Sequence, residues 1–270
     1  MDTAPQAAPE IDRLVLSVNA KMNAEHGQRL TDLARQVGLD SLYLLPHLGN
    51  FMLAGTLTPE LAVLRLRYAP PEQVQERLYE LKEKTLLTEG GAGLGANPEL
   101  RTVLEAINEA VASSAGEAWD DHETDVAEAS AAAKLVADAA RNEHVVAVSH
   151  REAPEPDDPY LRLHQRLVTL RFVRQHDHAE AWLAHGLTPA DMVVMTPLWN
   201  GESVDGSAAR LAELGHAEGD PPRLTSSGRA VRDAIEDETN RRAQQTFDVL
   251  DDAAAARFVD ALRRIPGVVA

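Results

Sequence analysis

The chain has 270 residues, enough for two ordinary domains, and its 44% apolar content with only 4% aromatic residues favours packed helices over sheet. It contains no cysteine, which excludes disulfides and thiolate metal or redox chemistry. The net charge of −17 disfavours a non-specific nucleic-acid binder, because such proteins gain most of their affinity by neutralising phosphates.

The N-terminal residues 1–10 are rich in Pro and Ala and are predicted to form a disordered tail. The N-terminus has no signal-peptide pattern and no apolar run could span a membrane, so we expect a cytoplasmic protein without a membrane partner. From Ile11 to Gly38, apolar residues recur every three or four positions, which predicts helices. Leu42 to Ala54 predicts a further helical piece, kinked or entered at Pro46.

Two parts of the chain resemble each other. Leu57-Thr58-Pro59 recurs as Leu187-Thr188-Pro189, and in both copies Thr can cap a helix that Pro begins. A turn-rich stretch follows each copy, at residues 88–97 and 215–222, and a helix is predicted to begin near Pro98 and near Ser226. We predict a mainly α fold with small β wings, made of two tandem winged-helix units related by internal duplication and joined by long helices. The alternative is two generic helical hairpins with loops of similar length.

Composition also suggests where the two units divide. Residues 117–139 form an acidic, alanine-rich stretch that predicts a solvated helix, and Val145, Val146 and Val148 predict a short strand or extended link. Residues 151–159 contain three prolines and are predicted to be a linker. The predicted domains are therefore an N-terminal unit with its connecting helices over residues 11–150 and a C-terminal unit over residues 160–270.

A basic helix is predicted from Tyr160 to Trp182, and it supplies the first candidate site. Arg171, Arg174, His178 and Trp182 lie three or four residues apart and so share one helix face. Guanidinium groups bind carboxylates or phosphates, and histidine can transfer a proton near neutral pH, so this face is predicted to line a pocket for an anion. The alternative is a surface stripe that pairs with the acidic helix at residues 117–128.

The spacing of His47 and Phe51 before the first Leu-Thr-Pro matches, within one residue, that of His178 and Trp182 before the second. If the two units pack about a pseudo-twofold axis, these residues could line one central cavity for a small organic ligand. Two histidines without a third nearby ligand make a poor metal site, so we expect no metal and no cofactor. The alternative for His47 is a core residue with satisfied hydrogen bonds.

The predicted recognition helices, residues 71–87 and 202–214, carry more acids than bases, Asp205 among them, and do not favour base readout. The second wing is more basic. The candidate DNA contacts are Arg210, Arg223, Arg229 and Arg232, although the net charge disfavours DNA as a partner.

One further pattern resembles a known family. It consists of the spaced Arg171, Arg174, His178 and Trp182, then Gly186-Leu187-Thr188, then Leu224-Thr225-x-x-Gly228-Arg229 with Ile235-Glu236 and Thr239. It is similar to an actinobacterial family of tandem winged-helix, MarR-like proteins. The resemblance covers residues 160–270 well and residues 43–116 more thinly, and it implies a winged-helix fold and a regulator's role.

Two functions follow from these observations. The first is a ligand-responsive, MarR-like transcription regulator that binds a small organic, anionic ligand and, through its wing arginines, DNA. The alternative is a winged-helix scaffold repurposed as an enzyme or carrier for an anionic metabolite, with His178 as the general acid/base and no DNA binding. Catalytic residues are otherwise unassigned. A homodimer is compatible with both readings, and an adaptor that uses the acidic helix is a third, plainer reading.

Overall fold

The computed structural model describes residues 2–204 and 207–267. In these residues the helices are α1 (Thr3–Gln36), α2 (Leu45–Ala54), α3 (Pro59–Arg65), α4 (Pro71–Glu83), α5 (Pro98–Trp119), α6 (Glu123–Asp138), α7 (Val145–Arg151), α8 (Pro159–Ala184), α9 (Pro189–Asn200), α10 (Ala209–Glu213), α11 (Ser226–Phe247) and α12 (Asp252–Arg264). The strands form two antiparallel pairs, β1 (Leu87–Glu89) with β2 (Leu94–Ala96) and β3 (Ala217–Glu218) with β4 (Arg223–Leu224). A mainly helical chain with small antiparallel strands is therefore confirmed.

The chain divides into two compact units. Unit 1 contains the residues up to Val173 and those from Thr246 onwards, and unit 2 is Arg174–Gln245. The predicted linker at residues 151–159 is wrong as a domain boundary, because its last proline begins α8, which continues without a break to Ala184. The predicted C-terminal domain, residues 160–270, is also wrong, because α12 packs against α1 and α6 in unit 1. Its last three residues lie outside the described residues.

Unit 1 is held together by its longest helices. Leu14, Val18 and Met22 recur on one face of α1, are buried, and continue the periodicity seen in the sequence. This helix packs against α5 and α12. The C-terminal end is fastened by polar contacts as well, since the Trp119 indole donates to the Pro266 carbonyl over 3.2 Å. Arg13 in α1 also donates to the Leu262 and Ile265 carbonyls.

The first residues of the chain do not form the predicted disordered tail. Met1 lies outside the described residues, but α1 begins at Thr3, and Ala4 and Ala7 are buried in unit 1. Alanine is the strongest helix former, and Pro5 lies in the first turn, where its missing N–H is not needed. Pro9, inside the helix, does cost a hydrogen bond, and the burial of the surrounding apolar face compensates for it.

The three valines at residues 145, 146 and 148 do not form the predicted strand. They belong to α7, which packs against α2, α3 and α6. The strand preference of valine is a weak tendency that tertiary packing overrides, and here Val146 and Ala147 are buried by that packing. The acidic, alanine-rich stretch at residues 117–139 is helical as predicted, but it is not one solvated helix. It is divided between the end of α5 and α6, and α6 buries Val126 and Ala133.

In unit 1, α2, α3 and α4 are followed by the β1–β2 pair and α5. Thr58 caps α3, and Asn97 caps α5 by accepting from the Leu100 amide. Leu57 and Leu94 form an additional antiparallel bridge, and a Cβ on Gly93 would come within 2.7 Å of the Leu57 carbonyl oxygen. Glycine is therefore required at this position, where its φ of 156° also disfavours other residues.

In unit 2, the end of α8 is followed by α9, α10, the β3–β4 pair and α11. Thr188 and Asp191 form a reciprocal capping box at the start of α9. The core is the apolar cluster around Trp182, Leu198 and Ile235, to which each of the unit's helices contributes. Helix α10 is shorter than the predicted recognition helix, residues 202–214, and Asp205 in that range lies outside the described residues.

Candidate functional site

The β3–β4 hairpin of unit 2 is joined to α11 by a compact polar turn. Thr225 Oγ1 donates to the Gly215 carbonyl over 2.7 Å and accepts from the Gly228 amide over 3.0 Å, so one side chain links the hairpin to the first turn of α11. Gly228 packs so closely on the His216 carbonyl that a Cβ would overlap it. The Leu-Thr-x-x-Gly-Arg pattern thus has a physical basis: a buried strand residue, a cap, a close backbone approach and an exposed arginine.

Arg223 and Arg229 lie on either side of this turn and both are exposed. Arg223 is at the start of β4, with 74% of its side chain accessible, and its guanidinium pairs with Glu218 across the hairpin over 3.1 Å. Arg229 is in the first turn of α11 and has no carboxylate partner among the residues that the structure describes. Both side chains can therefore reach a phosphate without first breaking a buried interaction.

The other two predicted DNA contacts have ion-pair partners within unit 2. Arg210 in α10 pairs with the buried Asp191 at the start of α9, and it also donates to the Gly186 carbonyl over 3.1 Å. It thereby ties the two helices together. Arg232 is only 5% exposed, pairs with Glu236 over 3.0 Å, and stacks on Trp199 with its Cζ 4.5 Å from the ring centroid. A direct DNA contact by Arg232 is wrong, because one turn beyond Arg229 this face of α11 is buried.

Unit 2 also holds three of the predicted ligand-binding residues. Arg174 pairs with Glu236 and lies 3.4 Å from the Asn240 side-chain oxygen. His178 Nδ1 is 3.1 Å from Thr239 Oγ1, whose own proton is donated to the Ile235 carbonyl over 2.7 Å. His178 therefore donates from Nδ1 to this hydroxyl. Trp182 is a core residue, 3% exposed.

Glu236 connects two arginines and is the centre of this network. It accepts from both Arg174 and Arg232. Burial acts to raise its pKa, but the charges of Arg174, Arg232 and His178 together outweigh burial and hold the pKa below its usual value. At Arg174, the place predicted for an anionic ligand is thus already taken by a carboxylate of the protein itself.

The remaining predicted ligand-binding residues belong to unit 1. Arg171 Nε lies 2.7 Å from Asp12 Oδ1, so its partner is in α1 and not in the acidic helix proposed from the sequence. Phe51 is a buried residue of α2. His47, one turn earlier, is exposed, and its Nδ1 lies 3.3 Å from Arg65 Nη2. His47 is therefore not fully buried as a core residue would be, although its ring has a hydrogen-bond partner in Arg65.

Arg65, at the end of α3, is a residue that the sequence analysis missed. It is partly buried, its Cζ lies 4.5 Å above the centre of the Phe172 ring, and its Nε is buried without a hydrogen-bond partner among the described residues. Burial and the nearby positive charge of Arg171 lower the pKa of Arg65 to about 10. No local motif marks this arginine, because its neighbours come from α2 and α8.

Beneath Arg65 lies a group of aromatic rings around His150, which the sequence analysis also missed. His150 packs edge-on against Phe51 and Phe172, with ring centroids 5.6 and 5.0 Å away. Thr169 donates its proton to the Gln165 carbonyl, so His150 donates from Nδ1 to Thr169 over 2.8 Å and accepts at Nε2 from Asn50 over 3.0 Å. Burial, followed by the charges of Arg65 and His164, lowers the pKa of His150 to about 3.

The basic residues of helix α4 in unit 1 pair with nearby carboxylates. Its Arg77 pairs with Glu80 over 2.7 Å, and its Lys82 pairs with Glu89 over 2.8 Å. Lys84, just after the helix, lies 3.8 Å from the same Glu80. The surface of α4 is therefore acidic, as the sequence predicts, and its bases are paired with carboxylates.

No three histidine, aspartate or glutamate side chains in residues 2–204 and 207–267 come together in a way that could hold a metal ion. Within the same ranges, none of the helices has the length and apolar character needed to cross a membrane.

Comparison with known proteins adds one finding. The model of a family described as a helix-turn-helix family matches residues 96–270, which include α5 to α12 and the whole of unit 2. Comparison with curated proteins and with solved structures gave no match.

Proposed function

Because the chain belongs to a helix-turn-helix family, we propose that it is a DNA-binding transcription regulator of the winged-helix, MarR-like type. The family match covers unit 2, where α9 and α10 are followed by a two-stranded hairpin and a long helix. Unit 1 contains the same succession in α3, α4, the β1–β2 pair and α5, which supports two tandem winged-helix units that arose by duplication. A cytoplasmic location and a homodimer stay predictions.

The single observation that carries the proposal is the exposed pair Arg223 and Arg229 around the wing turn of unit 2. Phosphate contacts supply most of the affinity of a protein for DNA, and an arginine contributes best when it need not give up a buried partner. Arg229 meets this condition, and Arg223 has only an exposed ion pair to release. Such exposed pairs contribute little to stability, so the cost of releasing this one is small.

The acidic surface of α4 supports a division of labour between the units. This helix of unit 1 carries more carboxylates than bases, so we assign the DNA contact to unit 2 alone. Arg210 has a structural part in this scheme, since it holds α10 against α9 through Asp191. With two arginines on phosphates, the logarithm of the affinity should fall with that of salt with a slope of about −2, at about −0.9 per phosphate.

Fluorescence anisotropy with a duplex from upstream of the chain's own coding sequence tests the proposal. We expect Arg223→Ala and Arg229→Ala each to weaken binding and to reduce the salt slope by about one. The matched control is Arg241→Ala, because Arg241 is also an exposed arginine of α11, paired with Glu238 three residues away. Binding that is independent of salt, or equal losses in all three variants, would contradict the proposal.

The regulator is proposed to respond to a small organic anion. The unpaired Arg65 of unit 1 supports this part, because it leaves a positive charge without a counterion among the described residues. The enzyme or carrier alternative, with His178 as the general acid/base, has weaker support. It requires Arg174 to act as an anion clamp, and Arg174 is already neutralised by Glu236.

A further inference from the structure

We propose that Arg65, oriented by His47 and Phe172, binds the carboxylate of a small monocarboxylate ligand in unit 1. The inference rests on the ligand-binding part of the proposed function and names its site and its class of ligand, but it does not require DNA binding. The site is thus centred on Arg65, which no motif marks, and not on Arg171 and Arg174, which the sequence predicted.

Arg65 lies in a part of unit 1 that has an excess of positive charge. Burial and then the positive charge of Arg171 lower the pKa of Arg65, and Asp12 pairs with Arg171 but not with Arg65. Within the described residues, this part of unit 1 therefore retains one positive charge that no carboxylate of the protein balances. Burial makes such a charge costly, and a bound anion would offset that cost.

The guanidinium of Arg65 is held in one orientation by two neighbouring side chains. Phe172 covers one face of the group at 4.5 Å, and the neutral His47 ring accepts from Nη2 at 3.3 Å. Two contacts thus fix the plane of the guanidinium before any ligand arrives, which lowers the entropy that binding would cost. His47 is exposed, so solvent and a small ligand can approach this side of Arg65.

The packing beneath the site makes this orientation rigid. Phe172 rests on His150, and His150 is fixed by hydrogen bonds to Thr169 and Asn50 on opposite sides of its ring. Phe51 packs against both rings. None of these groups has a negative charge. They therefore pack beneath Arg65 without neutralising its positive charge, which stays available to a ligand.

The class of ligand follows from this charge balance. A carboxylate carries one negative charge and two acceptor oxygens, which match one guanidinium edge and one uncompensated positive charge. A phosphate that carries nearly two charges would leave an excess negative charge beside aromatic side chains. The site should therefore prefer a monocarboxylate to inorganic phosphate.

The test is a titration of the full chain, without DNA, with acetate, butyrate, benzoate and inorganic phosphate at constant ionic strength. Nuclear magnetic resonance of the arginine Nε–Hε groups reports on Arg65 directly, and its signal is assigned with Arg65→Lys. We expect a saturable shift of the Arg65 signal with at least one monocarboxylate. Phosphate should bind at least ten times more weakly. Arg65→Gln should lose at least a factor of ten in carboxylate affinity. Arg101→Gln, an exposed arginine of α5 in the same unit, is the matched control and should bind as the unmodified chain does.

Two results would overturn the site, and another would overturn the class of ligand. An Arg65 signal that moves no more than that of Arg101, or undiminished binding in Arg65→Gln, would overturn the site. Phosphate binding as tight as carboxylate binding would overturn the class of ligand. The unmodified chain reports through the Arg65 signal even if Arg65→Gln does not fold. Carboxylate binding in Arg223→Ala and Arg229→Ala should be unchanged, so failure of the DNA proposal and failure of this one are distinguishable.

Discussion

Two buried histidines of unit 1 should make the chain lose stability in mild acid. Burial, with the charges of Arg65 and His164, lowers the pKa of His150 from 6.5 to about 3, and burial with the charge of Arg171 lowers that of His164 to about 4. The unfolded chain takes up a proton on each histidine near its ordinary pKa, whereas the folded chain stays neutral there. Their contribution to stability is therefore complete above about pH 6.5 and is lost as the pH falls towards the folded values.

The magnitude follows from these shifts. Over the window from pH 6.5 to about 5, each histidine that is protonated only in the unfolded chain costs about 1.4 kcal/mol per pH unit. The free energy of unfolding should then fall by about 2 kcal/mol for each histidine, or about 4 kcal/mol for both. This window lies above the ordinary pKa of Glu and Asp, so the acid titration of salt bridges contributes little to it.

Urea denaturation at a series of pH values measures this loss. In His164→Gln, which can still donate to the Asn19 side chain as His164 does over 3.2 Å, about a third to a half of the pH dependence should disappear, because the exposed His47, with its pKa lowered to about 4, adds a smaller share. His185→Gln, at an exposed position of unit 2, is the control and should keep the pH dependence of the unmodified chain. If His164→Gln loses stability between pH 6.5 and 5 as steeply as the unmodified chain, the burial argument is refuted.

Two further predictions concern unit 2. Gly228→Ala should lower the free energy of unfolding of the unit by about 2 kcal/mol or more, because the new Cβ would overlap the His216 carbonyl. Thermal unfolding measures this loss, and a loss below about 0.5 kcal/mol would contradict the close approach. Arg232→Ala should cost about 3 kcal/mol of unfolding free energy, since it removes a buried partner of Glu236 and the stacking on Trp199. The same variant should leave the salt slope of DNA binding unchanged, and a reduced slope at normal stability would restore Arg232 as a DNA contact.

The sequence predicts best what local chemistry determines. Thr188 with Pro189 marks the start of α9, and Asn97 with Pro98 marks the start of α5. The Leu-Thr-x-x-Gly-Arg pattern identifies a strand end and a helix start because Thr225 and Gly228 contact groups within a few residues along the chain or just across a hairpin. Caps, turns and close backbone approaches of this kind leave a direct trace in the residue types.

The sequence does not predict what long-range packing determines. The periodicity of α8 correctly placed Arg171 and Arg174 on a helix, but it could not show that Asp12 and Glu236 neutralise them from distant parts of the chain. Arg65 was missed for the converse reason, since only the folded structure shows that no carboxylate in the described residues accompanies it. For the valines of α7, contacts with three other helices outweigh a weak local preference.

The path of the chain through unit 1 has a consequence for synthesis on the ribosome. Unit 2 is one continuous segment, Arg174–Gln245, so all of its residues are available once that segment has emerged. Unit 1 must wait, because α12 packs against α1 and α6 and follows the whole of unit 2 in the chain. Until translation passes Arg264, α12 cannot cover its part of the apolar face of α1, and an uncovered face of this kind favours aggregation of the nascent chain.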